Sequence, residues 1–179
     1  RVLLSSLEGA SVSAVKIEGA PHEFSSIPGV VEDVTDIILN LKKVLLKSHS
    51  REPHTLYLHA NKEGAVTAGD IKSDQVVEVL NPDLHLATVN TKGRLAVDLT
   101  VEQGRGYLSA ERNKKTSTIG VIPVDAIFSP VRRVTFSIEP TRVEQATNYD
   151  KLTVDIETDG SISPREALAS AGDTLRSLV

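Results

Sequence analysis

The sequence predicts an α+β protein, on three observations. Apolar residues recur at helical spacing near the front and again at the end of the chain, they alternate at strand spacing between, and turn residues punctuate the strand-like runs. Hydrophobic residues at 40% and charged residues at 25% of 179 give the composition of a chain that folds in water, not of a disordered, collagen-like or membrane protein. This length accommodates one or two domains.

Taken in order, Arg1 to Leu7 reads as the end of a helix stopped at Glu8-Gly9, where glycine suits a left-handed cap. A short β-prone stretch follows around Val12 to Ile17. From Val31 to Lys43 the spacing of Val34, Ile37, Ile38 and Leu41 predicts a helix, with Glu32 and Asp33 in its first turn facing the positive end of the dipole.

Between Val44 and Ile138 the period changes to two, interrupted by turns at Asn61 to Gly64, Asn81 to Asp83 and Asn90 to Gly93. The clearest strand is Arg94 to Glu102, with Leu95, Val97, Leu99 and Val101 on a core face and Ala96, Asp98, Thr100 and Glu102 on a wet one. Val134, Phe136 and Ile138 predict a further core face, and Leu152, Val154 and Ile156 another. Ser163 as cap, Pro164 at the first helical position and Glu166 three residues on then announce a terminal helix. Its stripe of Leu168, Ala171, Leu175 and Leu178 packs on its own domain by default, or covers a partner.

Chemistry is hard to find. The absence of cysteine excludes disulfides, thiolate metal sites and a cysteine nucleophile, which leaves histidines and carboxylates as ligand types. His54 and His59 fall on opposite faces of a strand, and the other histidines, His22, His49 and His85, supply no pair four apart on a helix. His22-Glu23 begins like a zinc-protease motif, yet Ser26 stands where the second ligand belongs. Gly104, Arg105, Gly106 and Tyr107 lack the lysine and hydroxyl of a phosphate loop, so they read as a turn ending a strand. Asp155, Glu157 and Asp159 share a face without convergent partners and read as solvated. No Gly-x-Ser-x-Gly elbow occurs. No catalytic residue, metal or cofactor is expected.

The net charge of −4 gives no footprint for nucleic acid. The basic pairs Lys42-Lys43, Lys114-Lys115 and Arg132-Arg133 are dispersed and not interleaved with aromatics, so direct DNA contact is not expected. No apolar run approaches the roughly 20 residues of a membrane span, and no signal-peptide order is present, which points to a cytoplasmic or equivalent compartment. The chain lacks Met and opens at Arg1 on the apolar run Val2, Leu3, Leu4, and so reads as a piece of a longer protein.

Several stretches together resemble the amino-terminal region of a bacterial-type RNA polymerase alpha subunit. They are RVLLSSLEGASV at Arg1 to Val12, HEFSSIPGVVEDVTDIILNLK at His22 to Lys42, EVLNPDLHLATV at Glu78 to Val89 and QGRGY at Gln103 to Tyr107. IPVDAIFSPVRRV at Ile122 to Val134 and RVEQATNYDKLTVDIETDGSISPREAL at Arg142 to Leu168 complete the set, in the family's order and over nearly the whole chain.

The resemblance implies a discontinuous dimerisation domain, residues 1–8 with 141–179, interrupted by a β-rich insert domain, residues 9–140. It implies a non-catalytic scaffold of a nucleotidyltransferase complex: a homodimer that recruits the beta and beta' subunits, in the cytoplasm or a plastid stroma. By position, Arg1 and Leu4 match helix residues that hold the beta subunit, and His22, Glu23, Phe24, Glu32 and Asp33 match the segment beside that contact. Arg142, Asp150 and Lys151 fall in another stretch associated with assembly, and Leu168, Ala171, Leu175 and Leu178 become a dimer interface. For Leu4 the plain alternative is a core position, and for Glu32 and Asp33 a service to the helix dipole alone. Some members of the family carry an acidic activator-contact loop in the insert, whereas here Arg112, Asn113, Lys114 and Lys115 occupy that neighbourhood, so activator contact there is not expected.

Overall fold

The computed structural model describes residues 1–113 and 118–179, which leaves Lys114 and Lys115 outside the described residues. Mixed helix and strand are present, as an α+β chain requires. In chain order the elements open with α1 (Val2–Ser5), β1 (Glu8–Ile17), α2 (Val34–Leu41), β2 (Leu46–Ser48), β3 (His54–Ala60) and β4 (Gly64–Thr67). They continue with β5 (Ile71–Lys72), β6 (Val77–Val79), β7 (His85–Val89), β8 (Leu95–Arg105), β9 (Tyr107–Leu108) and α3 (Ala110–Asn113). The last are β10 (Val121–Pro123), β11 (Ala126–Ile127), β12 (Val131–Val143), β13 (Ala146–Thr158) and α4 (Pro164–Leu178).

Contacts divide the chain into two compact units, Glu8–Phe128 and a second made of Arg1–Leu7 with Ser129–Val179. The edge expected after residue 140 falls inside β12, which pairs with β13 from Val131 to Val143, so a cut at that point would sever a continuous hydrogen-bonded ribbon. Glu8, expected with the helical tail, opens β1 by pairing with Arg105.

In Glu8–Phe128 the main sheet runs β5-β3-β8-β1-β2-β6, with β10 added to β1. The expected wet and dry faces of β8 are both present: Leu95, Val97, Leu99 and Val101 are buried, while Ala96, Asp98, Thr100 and Glu102 are partly covered. Its long partner β1 carries a bulge between Val12 and Ala14. The Ser13 carbonyl freed there accepts from Val124 N–H at 2.9 Å and Asn113 Nδ2 at 2.6 Å, so the far edge of β1 serves β2 at Ala10 and β10 from Ala14 onward. The glycine cap expected at Gly9 does not form: α1 ends at Ser6 in right-handed backbone, and Glu8 and Gly9 already belong to β1.

Helix α2 packs on β7 and buries Val34, Ile37, Ile38 and Leu41 in the core of this unit, as their spacing predicts. Each such side chain contributes about 1.5–3 kcal/mol when fully removed from water. The helix starts later than expected. Asp33 is its N-cap without a side-chain bond, and Glu32 precedes the first turn. Asn40 Nδ2 donates to Leu86 O at 2.9 Å, which ties a half-buried flank of α2 to β7.

In the other unit, α1 packs against α4 and β12. Leu7, Val131 and Ala167 are its buried centre, with Leu3, Val134, Ile156 and Ile162 packed around them. Leu3 of α1 and Leu7, just beyond the end of that helix, both pack into this centre, whereas Leu4 is exposed. The face expected to be core along β12 and β13 is core only at its root. Val134 sits opposite Ile156, but the next pairs, Phe136 with Val154 and Ile138 with Leu152, run out from the centre, and Phe136, Ile138 and Leu152 are exposed. A two-stranded ribbon has one layer to offer, and nothing in this unit lies over its far half.

Candidate partner-binding surfaces

The segment His22 to Ser25 is held on the first turn of α2. Val34 N–H donates to Ser25 O at 3.2 Å, and the Thr35 hydroxyl donates to Glu23 O at 2.7 Å. His22 turns back on its own loop, Nδ1 lying 3.3 Å from Phe24 N and from Ser25 Oγ. The result is a Phe24 ring 81% exposed. Its one ring neighbour among the described residues is His22, with centroids 6.4 Å apart, which leaves most of the side chain uncovered.

Beside it lies a groove of about 230 Å³ whose walls include Glu23, Phe24, Ile38, Leu39, Lys42 and Pro123. Asp125 fixes one wall. Its Oδ1 accepts from Ala110 N–H at 2.7 Å, and its Oδ2 pairs with Lys42 Nζ at 3.1 Å. The Ala110 amide first, then the Lys42 ammonium, outweigh the effect of burial and hold the Asp125 carboxyl below its usual range. The surface therefore joins an apolar floor to a fixed ion pair, a combination suited to a polypeptide with an apolar anchor and a polar rim.

The expected site residues separate here. Glu23 and Phe24 meet at the groove. Glu32 does not join them: Oε2 accepts from Thr88 N–H at 2.6 Å, while Oε1 lies 3.1 Å from Thr88 Oγ1 and 3.0 Å from His85 Nε2. Partial burial pushes this carboxyl up, but the bonds from His85 and Thr88 prevail and hold it below its ordinary value. Asp33 is exposed at the helix start. Leu39, Lys42 and Asp125 were missed from the sequence; Leu39, an apolar residue off the core stripe of α2, was the one legible signal, whereas Asp125 reaches the groove only through folding.

In the second unit Arg1 is exposed, with its carbonyl accepting from Ser5 N–H at 3.1 Å, and Leu4 is 43% exposed, so the plain core alternative for Leu4 does not hold. Arg142 Nε donates to Glu144 O at 2.7 Å across the tip of the β12–β13 hairpin, where Glu144 holds a φ of 55°. Arg142 thus stabilises a strained turn, while Asp150 and Lys151 stand exposed on β13. On α4, Ala167 and Ala171 are buried in their own unit, and Leu168, Leu175 and Leu178 are exposed. The helix is anchored by small residues and shows its large ones.

Most of the polar residues weighed for chemistry find ordinary neighbours, although His54 Nε2 is buried without a hydrogen-bond partner among the described residues. Glu157 pairs with Arg133 at 3.2 Å, Asp159 accepts from Ser161 N–H, and His54 Nδ1 lies 3.6 Å from Asp74. Gly106 takes a φ of 65° between β8 and β9, as a strand-ending turn requires. Among the described residues no group of three His, Asp or Glu side chains is arranged to hold a metal ion, and no helix is long and apolar enough to cross a membrane.

Residues 15–129 match the family model described as the RNA polymerase Rpb3/RpoA insert domain. The chain is 60% identical over 177 residues to the DNA-directed RNA polymerase subunit alpha of Symbiobacterium thermophilum, which covers 98% of this chain and 56% of the relative. It is 58% identical over 176 residues to the subunit of the same name from Moorella thermoacetica, covering 98% and 56%. With that of Oceanobacillus iheyensis the identity is 61% over 170 residues, covering 94% and 54%. The chain spans little more than half the length of these curated relatives. Matched by that model over more than half of its own length, the chain belongs to the RNA polymerase Rpb3/RpoA insert domain family.

Proposed function

We propose that this chain is a non-catalytic assembly scaffold of a DNA-directed RNA polymerase, pairing with a second copy of itself and recruiting the beta and beta' subunits in the cytoplasm. Bond-making and its metal ions then belong to those large subunits. The observation that carries this reading is Phe24, exposed at 81% on a loop that hydrogen bonds hold beside an apolar groove. A phenylalanine fixed in water without cover is an anchor in search of a pocket, and aromatic anchors dominate binding energy at protein interfaces. The identity of this chain with proteins named as alpha subunits supports the choice of partner.

Within the scaffold, Glu8–Phe128 takes the role of the insert, and Arg1–Leu7 with Ser129–Val179 that of the dimerisation domain. The extent of the family match, residues 15–129, supports an insert that ends before β12. Arg1 and Leu4 with Glu23 and Phe24 serve the beta subunit, and Arg142, Asp150 and Lys151 serve later assembly. The exposed leucines of α4 pair with those of a second chain.

Mixing the chain with a cognate beta subunit and measuring the mass of the complex in solution tests the proposal. A stable complex supports it. Absence of a complex, both for this chain and for a version extended to the length of its relatives, overturns it.

A further inference from the structure

Glu32 stands where the chain leaves the edge of β7 to begin α2. Up to that point the backbone pairs normally: Val30 bridges Val89, and Val31 N–H donates to Thr88 O at 3.0 Å. The answering N–H of Thr88 finds a carboxylate instead of a carbonyl, Glu32 Oε2 at 2.6 Å. The Thr88 hydroxyl at 3.1 Å and His85 Nε2 at 3.0 Å close on the other oxygen. Bonds to an ionised acceptor are shorter and roughly twice as strong as neutral ones. The Glu32 side chain is only 18% exposed, so both oxygens face inward and little remains for a second protein to grip.

Asp33 caps α2 without a side-chain bond, so the helix start is not fixed by its own cap. The first two helical residues, Val34 and Thr35, are the ones that hold Ser25 O and Glu23 O. Any shift of that first turn carries the Phe24 loop with it.

We propose that Glu32 is a positioning residue for the Phe24 surface: its clasp on Thr88 and His85 fixes the start of α2, and the start of α2 fixes the Glu23–Phe24 loop. The effect on binding rests on Phe24 being a beta-subunit contact; the effect on geometry does not.

The chain contains three phenylalanines, so labelling with 4-fluorophenylalanine gives three resonances, from Phe24, Phe128 and Phe136. In Glu32→Ala the Phe24 resonance moves while that of Phe128, buried in the same unit, stays, and affinity for the beta subunit falls about tenfold. Glu32→Gln keeps an acceptor for Thr88 N–H and restores the Phe24 resonance and most of the affinity. A Phe24 resonance unmoved in Glu32→Ala overturns the proposal whatever the affinity does, because Glu32 then acts by contact or not at all. Should Glu32→Ala lose the native Phe128 signal, Glu32→Asp decides: it keeps the charge but draws the carboxylate back by one methylene from Thr88 N–H and His85, and movement of the Phe24 resonance alone supports positioning while no movement overturns it. Separately, unchanged beta binding in Phe24→Ala defeats the binding role of that surface and leaves the fluorine result to judge Glu32.

Discussion

Gly29 and Gly93 cross backbone to backbone with no side chain between them. A Cβ on Gly93 would overlap the Gly29 carbonyl and press on Val89 Cγ1, and a Cβ on Gly29 would overlap Gly93 Cα. The crossing lets Gly29 O accept from Asn90 N–H at 2.8 Å, which ties the segment leading to α2 to the Asn90–Gly93 turn, itself closed by Gly93 N–H donating to Asn90 O at 2.8 Å. Gly93→Ala is expected to destabilise the chain by about 1–3 kcal/mol through overpacking, read as a lower urea midpoint at unchanged slope. Gly29→Ala adds the strain of a left-handed φ of 80° and falls further.

Acid should weaken the Glu8–Phe128 unit. Glu32, Asp74 and Asp125 all have carboxyls held below their ordinary values in the folded chain, Asp74 by the Val77 and Val76 amides. The unfolded chain therefore binds more protons in the interval between unfolded and folded values, and the stability these groups add is present above the ordinary carboxylate range and lost as pH falls through it. Urea midpoints measured down this range should decline, and Glu32→Gln and Asp125→Asn should each make the decline shallower.

Phe24→Ala should separate binding from folding. The ring is already in water, so unfolding free energy should change by less than about 0.5 kcal/mol. Titration calorimetry against the beta subunit should show a loss of about 2 kcal/mol, roughly thirtyfold in Kd.

Removal of the cap of α4 tests its local stability. Ser163 Oγ accepts from Glu166 N–H at 3.2 Å, and Pro164 follows at the first helical position. Ser163→Ala should cost about 1 kcal/mol, visible as a lower thermal midpoint by circular dichroism.

The exposed leucines of α4 are separable from the residues that dock it. Changing Leu168, Leu175 and Leu178 together to Ser leaves buried Ala167 and Ala171 in place. Sedimentation equilibrium should then show a folded chain whose self-association is weaker by at least about tenfold, near 1.4 kcal/mol. Undiminished self-association would place the pairing surface elsewhere.

The periodic elements were legible because periodicity is a local property. Val34, Ile37, Ile38 and Leu41 had to share a helix face, Leu95 to Val101 had to share a strand face, and Ser163-Pro164 could start only a helix. Less legible was the fate of single residues at element ends. Glu32 looked like a first-turn acid, and only the approach of β7, fifty-odd positions later in the chain, gave its carboxylate Thr88 and His85. Gly9 looked like a cap until β8 arrived to pair with it.

The amino-acid order alone determined the α+β class, the main helix faces, and the likeness to alpha subunits, since these depend on neighbours a few residues apart and on motifs kept in sequence. Tertiary structure alone decided which apolar residues stay in the open. Alternation marks Phe136 and Ile138 as it marks Leu95 and Val97, but burial requires a second layer: Leu95 and Val97 join one core cluster with Val34, Ile37 and Leu86, while Phe136 and Ile138 stand exposed on the outer half of a ribbon that nothing in its own unit covers. Folding likewise brought Asp125 to Lys42 and left Phe24 beside them in water, because a groove of this kind is made from residues distant along the chain and can be recognised only once they meet.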